Sequence, residues 1–335
     1  MDSPAATRDD RGQVLATTTP GRVEMSVVVP VYNSANIFPE LHKRLVASLE
    51  TCVDSFEIIA VLDGCRDDSY EVIRGLSTDD RRIKIIEFSR NFGHQAALTA
   101  GLLHASGTMT AIIDDDLEDP PELLPRLVEK IREGNDVVYG VRRKRKRSWI
   151  LRVMYSWFYR ILGNLVDINI PYDAGDFCVI THRVVLVLRS MREQNRYLRG
   201  MRAWAGFRQT GVEYEREQRF ADTPGYSLKK YIALALNAIF SFSYKPLKYV
   251  TLLGLLVSLA SFEEAFRIIF LKLTGKLVEV PGWAYLSVTI LFLFGIQFTA
   301  MGVMGEYVAR IYDELKQRPQ FVIRNKVGFG ESGEE

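Results

Sequence analysis

Apolar residues are distributed along this chain in three regimes. In the first, from Met25 to about residue 141, the runs SVVVPVY (26–32), FEIIAVLD (56–63), IKIIEFS (83–89) and MTAIIDD (109–115) are β-branched and apolar at consecutive positions. A strand covered on one face alternates, whereas one buried on both faces does not, so these runs read as strands of a helix-covered parallel sheet. Helix-like segments lie between them at 38–49, 68–76, 94–104 and 121–132, and DVVYGV (136–141) reads as a further strand. The alternation predicts an open α/β sheet whose ligands sit beyond the carboxyl ends of its strands.

The second regime, 226–247, mixes Lys229, Lys230 and Lys245 with Leu, Ala, Ile and Phe. It reads as a juxtamembrane helical region lying in the bilayer interface, with a core helix as the alternative. The third regime is apolar throughout. Residues 249–262 carry no charge and 283–305 are almost wholly apolar. The pattern predicts transmembrane helices at 248–271 and 285–307, an external turn at 272–284 and a cytoplasmic tail at 308–335. The first span reaches that length only by running through Glu263, Glu264 and Arg267. Lys245, Lys248, Arg310, Lys316 and Arg318 flank the outer ends, which places the N-terminal domain (25–225) and the tail in the cytoplasm, against a weaker contrary signal from Lys272 and Lys276 in the turn. Residues 1–24 are polar and read as a disordered leader.

Composition changes this picture little. A formal net charge of +2 over 335 residues gives no global pull toward nucleic acid, and no aromatic-interleaved basic surface accompanies the cationic run Arg142–Arg147. That run reads as a membrane-facing segment, each cation gaining about 1 kcal/mol from anionic lipid, or as a solvated loop. Cys52, Cys65 and Cys178 are too scattered for a zinc template or a disulfide framework. Within the βαβα stretch 25–141 nothing reads as GxGxxG, GxxxxGK[ST] or GxSxG, so dinucleotide, P-loop and serine-hydrolase chemistry lack a motif there.

The chemistry concentrates at the end of the fourth strand, where Asp114, Asp115, Asp116, Glu118 and Asp119 precede Pro120-Pro121. Carboxylates so crowded repel one another unless a cation sits among them. Mg²⁺ takes one or two carboxylates plus substrate phosphates and water, so Asp114 and Asp116 suit a metal–diphosphate. Asp119 suits an N-cap, with proline at the first helical position.

Several stretches in fixed order carry a resemblance: PVYNS (30–34), VLDGCRDDS (61–69), SRNFGHQAALTAGL (89–102), DDDLEDPPELL (114–124), DAGDF (173–177), REQRF (216–220) and FSFSYKPLK (240–248). Together they resemble the polyprenyl-phosphate glycosyltransferases, inverting family-two enzymes with a GT-A, Rossmann-like α/β catalytic domain. The similarity is greatest to bactoprenol-phosphate glucosyltransferases and undecaprenyl-phosphate aminoarabinose transferases, and weaker to dolichol-phosphate mannose synthases. The resemblance implies transfer of a sugar from a nucleotide-sugar, UDP-glucose first, to polyprenyl (undecaprenyl) phosphate. UDP-galacturonic acid, a UDP-aminoarabinose derivative and GDP-mannose are the alternative donors. It also implies a divalent metal (Mg²⁺ or Mn²⁺) on Asp114 and Asp116 and a homo-tetramer. Pro30, Tyr32, Asn33, Asp63 (at the base), Asp114 and Asp115 would serve the nucleotide-sugar, Arg142, Arg143, Arg216 and Arg219 the acceptor phosphate, and Asp176, with Asp116, would be catalytic.

The chain departs from the family pattern at several positions. Ser34 stands where many members carry an acid, Asp115 replaces a small residue, Glu118 a common Gln, Cys178 a common Arg and Asp222 a usual Gly. Those departures keep a non-catalytic membrane adaptor as the alternative class. A processive polysaccharide synthase lacks its QxxRW motif here.

Overall fold

The computed structural model describes residues 23–142, 174–194, 196–215, 245–274 and 282–329. They fall into two units, one holding the catalytic-type sheet and one holding two long helices.

The sheet has eight strands in the order β7-β5-β6-β4-β1-β2-β3-β8. Its centre is the part written plainly in the sequence. Strands β1 (Met25–Val31), β2 (Phe56–Leu62), β3 (Ile83–Phe88) and β4 (Met109–Ile112) pair in parallel. Every residue of β1, β2 and β4 is buried, as continuous apolar runs require. The two faces feed different cores. Val27, Val29, Ile58 and Ala60 pack with Leu41 and Leu45 of α1 (Phe38–Leu49) and with Leu127 of α4 (Leu124–Arg132), whereas Ile59, Val61 and Ile86 pack with Ala97 and Ala100 of α3 (His94–His104). Helix α3 lies so close to β1 that a Cβ at Gly101 would fall 2.1 Å from the Val28 side chain. Helix α2 (Ser69–Asp79) runs three residues beyond its predicted end.

Outside this centre the sheet departs from a purely parallel plan. Strand β6 (Ala174–Thr181) pairs antiparallel with both β4 and β5 (Val137–Arg142), β7 (Gln209–Tyr214) lies parallel to β5, and β8 (Ile323–Val327) lies antiparallel to β3. Short helices α5 (His182–Ser190) and α6 (Leu198–Trp204) follow β6. Strand β8 belongs to the stretch expected as a tail. It is locked on by the Ser89 amide, which donates to the Val322 carbonyl at 2.9 Å, and by Phe321, stacked on Phe88 with centroids 5.0 Å apart.

In the second unit, α7 (Lys245–Leu273) and α8 (Gly282–Lys316) exceed both predicted spans. At 1.5 Å per residue they are about 43 and 52 Å long. Within them, Lys245–Glu264 and Phe292–Lys316 are long and apolar enough to cross a membrane by length and composition, and no described side chain of either helix is buried. On that first stretch Glu263 and Glu264 stand at the end and not deep inside it. Arg267 grips Glu264 through two hydrogen bonds of 2.7 and 2.6 Å. The leader up to residue 22, most of the juxtamembrane region and residues 275–281 lie outside the described residues.

Candidate active site

Pairing of Ile112 with Cys178 sets the end of β4 beside the start of β6, and so brings the acidic cluster next to Asp176. Parallel pairing of Val31 with Leu62 likewise sets Tyr32 beside Asp63. The site therefore collects at the carboxyl ends of β1, β2 and β4, where an open α/β sheet offers a crevice.

The three aspartates after β4 face different ways. Asp114 Oδ1 is shut off from solvent and receives no hydrogen bond, while His94 Nε2 lies 3.7 Å away. Burial pushes the Asp114 carboxyl up to about 7; the His94 charge opposes the shift, and Asp176, Asp119 and Asp116 add to it. Asp115 turns the other way and accepts the Tyr32 amide at 3.0 Å and the Ser34 hydroxyl at 2.5 Å. Asp116 Oδ1 accepts the Glu118 amide at 3.1 Å across Leu117, whose φ of 58° tightens the turn.

Asp63 is buried, and its oxygens accept the backbone amides of Phe92 at 2.6 Å and Gly93 at 2.9 Å. Its carboxylate thus holds the loop that leads into α3, where the resemblance had it meeting the base. Gly64 makes the close approach possible: its φ is +63°, and a Cβ there would sit 2.3 Å from the Asn91 amide nitrogen. The first residue of α3 is His94, whose Nε2 lies 3.5 Å from Asp176 Oδ2. On the other side, Arg199 of α6 reaches Asp176 Oδ1 at 3.3 Å. Burial alone would raise the Asp176 carboxyl; the hydrogen bond with His94 and the charge of Arg199 hold it far below the ordinary carboxylate range. Burial likewise opposes the His94 imidazolium, but its hydrogen bond to Asp176 and the charge of Asp114 carry it up to about 9. An ion-paired anion of this kind is a poor proton acceptor.

Other expected site residues take different places. Pro30 is buried inside β1, so Tyr32 and Asn33 alone of that trio offer surface. Asn33 has a φ of 55° and accepts the Arg66 amide at 2.8 Å. Asp119 caps no helix: the turn Pro121–Leu123 has no side-chain cap, and Asp119 instead receives Arg142 at 3.3 Å and the Tyr214 hydroxyl. Arg142, expected to face an acceptor phosphate, is held in that buried network and also donates to Tyr214 at 3.2 Å. Arg143, Arg216 and Arg219 lie outside the described residues. Conversely, sequence reasoning passed over His94, Arg199 and Arg202. His94 stood inside a quoted motif, and RGMR (199–202) places two arginines one helical turn apart.

The carboxylates fit a divalent cation. Asp114 has a buried oxygen without a donor, and Asp116 lies two residues on at the same strand end. Among the described residues no three His, Cys, Asp or Glu groups form a complete protein cage. Two carboxylates completed by substrate phosphates and water is the coordination Mg²⁺-like ions take.

Comparison with known proteins agrees with this architecture. The glycosyl transferase family 2 profile matches residues 26–188. Over 307 residues the chain is 42% identical to the uncharacterized glycosyltransferase YkcC of Bacillus subtilis, covering 91% of this chain and 95% of that protein. It is 41% identical to the uncharacterized glycosyltransferase sll0501 of Synechocystis, covering 91% and 96%. Against the bactoprenol glucosyl transferase of Shigella phage SfV the identity is 37%, covering 91% and 99%. Likeness at that level over nearly the whole of each protein, together with the aspartates grouped at the strand ends, identifies the chain as an enzyme belonging to glycosyl transferase family 2.

Proposed function

We propose that the protein transfers one sugar, glucose from UDP-glucose first, to the phosphate of a polyprenol such as undecaprenol, with inversion at the sugar carbon. The product is a lipid-linked monosaccharide for cell-envelope glycan modification. The observation that carries this reading is the buried, donorless oxygen of Asp114 facing Asp176 across His94. A carboxylate in that state calls for a cation, and the family relation to bactoprenol glucosyl transferases supports a lipid-phosphate acceptor.

In this reading Asp114 and Asp116 hold Mg²⁺ or Mn²⁺ with the donor diphosphate. When bound, the ion neutralises charge that develops on the leaving group. Tyr32 and Asn33 offer the surface on which the nucleoside rests, and Asp63 acts through the loop it anchors. The acceptor needs no strong base, since a phosphate monoester with a second pKa of about 6 is already mostly dianionic at neutral pH. Asp176 therefore orients groups around the acceptor and takes no proton.

The placement of β8 supports a cytoplasmic hairpin. A chain that leaves a sheet, runs through α7 and α8 and returns to the same sheet crosses any membrane an even number of times. The flanking lysines and arginines then favour the cytoplasm for that side. The resemblance adds a homo-tetramer.

The test is a panel of nucleotide-sugars offered with undecaprenyl phosphate and Mg²⁺ or Mn²⁺, with the lipid fraction read by mass spectrometry. A lipid-linked monosaccharide formed with UDP-glucose supports the reading. Another donor would revise the sugar, a polymer would indicate a synthase, and no lipid product with any donor would refute the transferase role.

A further inference from the structure

We propose that His94 and Arg199 form the seat for the acceptor's phosphate, with Asp176 aligning the two side chains. The proposal rests on the transferase reading above and assigns a ligand to Arg199, outside the motifs that suggested it, and to His94, which stands inside one of them but was given no role there.

Asp176 holds its neighbours loosely. Its Oδ1 accepts from Arg199 Nε at 3.4 Å and Nη2 at 3.3 Å, and its Oδ2 lies 3.5 Å from His94 Nε2. These separations lie at or beyond the long end for charge-assisted hydrogen bonds, which usually close to about 2.7–2.9 Å. The donors therefore flank Asp176, one at each carboxylate oxygen, without being exhausted. Among the described residues, Arg199 Nη1 and His94 Nδ1 have no partner. Arg202 stands behind, buried, with its Nη2 3.5 Å from the Gly175 carbonyl and its guanidinium over the Tyr139 ring. On the α6 side, two guanidiniums thus face the single carboxylate of Asp176.

The surroundings of Asp176 leave space unequally. Behind Asp176, a cavity of about 10 Å³ lined by Leu98, Cys178, Leu198, Arg199 and Arg202 has room for no more than one water. In front, the side chains of His94, Arg199 and Asp176 keep 42, 25 and 17% of their surface. The exposed parts of these side chains are where an anion can meet them.

An inverting displacement needs two separate anion seats, because the attacking oxygen and the departing diphosphate occupy opposite sides of the sugar carbon. Asp114 and Asp116, with their cation, serve the diphosphate. His94 touches that group through Asp114 and touches Asp176 with the same nitrogen, so it stands on the border of the two seats. The Arg199 side is left for the phosphate that attacks.

The experiment uses the full chain in nanodiscs and a short, water-soluble isoprenyl monophosphate as acceptor. Acceptor KM and nucleotide-sugar affinity are measured separately for wild type, Arg199→Gln, Arg199→Lys and His94→Asn. Loss of a charge-assisted hydrogen bond predicts an acceptor KM raised about 10- to 100-fold in Arg199→Gln, with partial rescue in Arg199→Lys and unchanged donor affinity in both, and a smaller acceptor KM rise in His94→Asn, which also touches the donor side through Asp114. An unchanged acceptor KM, or equal loss of donor affinity, would overturn the seat. Should Arg199→Gln fail to fold by thermal melting, Arg199→Lys decides on the same criterion and His94→Asn on acceptor KM alone. Direct calorimetry of the isoprenyl phosphate, without donor, separates the two readings. Arg199-dependent binding in a protein that transfers no sugar keeps the seat and refutes the transferase role, whereas Arg199-independent binding or none refutes the seat.

Discussion

Two carboxylates at opposite ends of the parallel sheet, Glu57 buried and Asp114 with one oxygen buried, have opposite surroundings. Glu57, near the start of β2, accepts Ser26 at 2.5 Å and both the amide and hydroxyl of Ser106 at 2.8 Å, and it pairs with Lys84 of β3. Burial opposes its charge, yet Lys84, Ser26 and Ser106 together hold its pKa below the ordinary value. Asp114, at the far end of β4, has an oxygen with no donor and a pKa carried the other way. A buried charge supplied with all its partners works for the fold, and one left short of them waits for a ligand. The sheet thus separates a structural end from a chemical end.

The largest test of that contrast is Asp114→Asn. Transfer should fall by about 10³-fold or more, the scale on which lost electrostatic stabilisation is felt, as read by lipid-linked product. Stability should move the opposite way. The folded pKa of Asp114, about 7 without metal, lies above the unfolded value, so its proton-linked stability is complete below about pH 4 and fades as pH rises through 7. In chelator, Asp114→Asn should therefore melt higher than wild type at pH 8 and equally at pH 4. A variant less stable at both would erase the distinction between the two ends.

Glu57→Gln is the mirror experiment. It leaves Lys84 with a neutral partner and should cost about 2–3 kcal/mol in urea unfolding, with kcat per folded molecule unchanged. A loss of turnover at full stability would show that the far end also serves the reaction.

Asp115→Asn falls between the two. Asp115 touches the Tyr32–Ser34 loop, so its loss should raise the nucleotide-sugar KM about tenfold and lower stability by about 1 kcal/mol. A fall in kcat with unchanged KM would assign Asp115 to the reacting atoms instead.

How much of this was legible follows from locality. Strands β1 to β5 announce themselves because burial on both faces leaves long apolar runs, and the acidic cluster is contiguous. Strand β8, IRNKV, was missed because an edge strand whose three central residues are exposed carries no such run. Asp119 was misread as a cap because its partner Tyr214 lies 95 residues downstream, a distance no local pattern spans. Ser34 and Asp115 were read as two separate departures from the family pattern. The fold makes them one feature, with the acid moved from the loop to the strand end and bonded back to the serine left behind.

The return of the C-terminus to the edge of β3 sets an order on biosynthesis. Strand β8 is translated after both long helices, so the ribosome has delivered the apolar hairpin before the sheet receives its last strand. Until residue 327 emerges, β3 keeps an open edge and Phe88 lacks its stacking partner. A nascent chain stalled within the two long helices is thereby left with an unfinished sheet whose β3 edge is open and adhesive, so the sheet cannot close before both helices have been made.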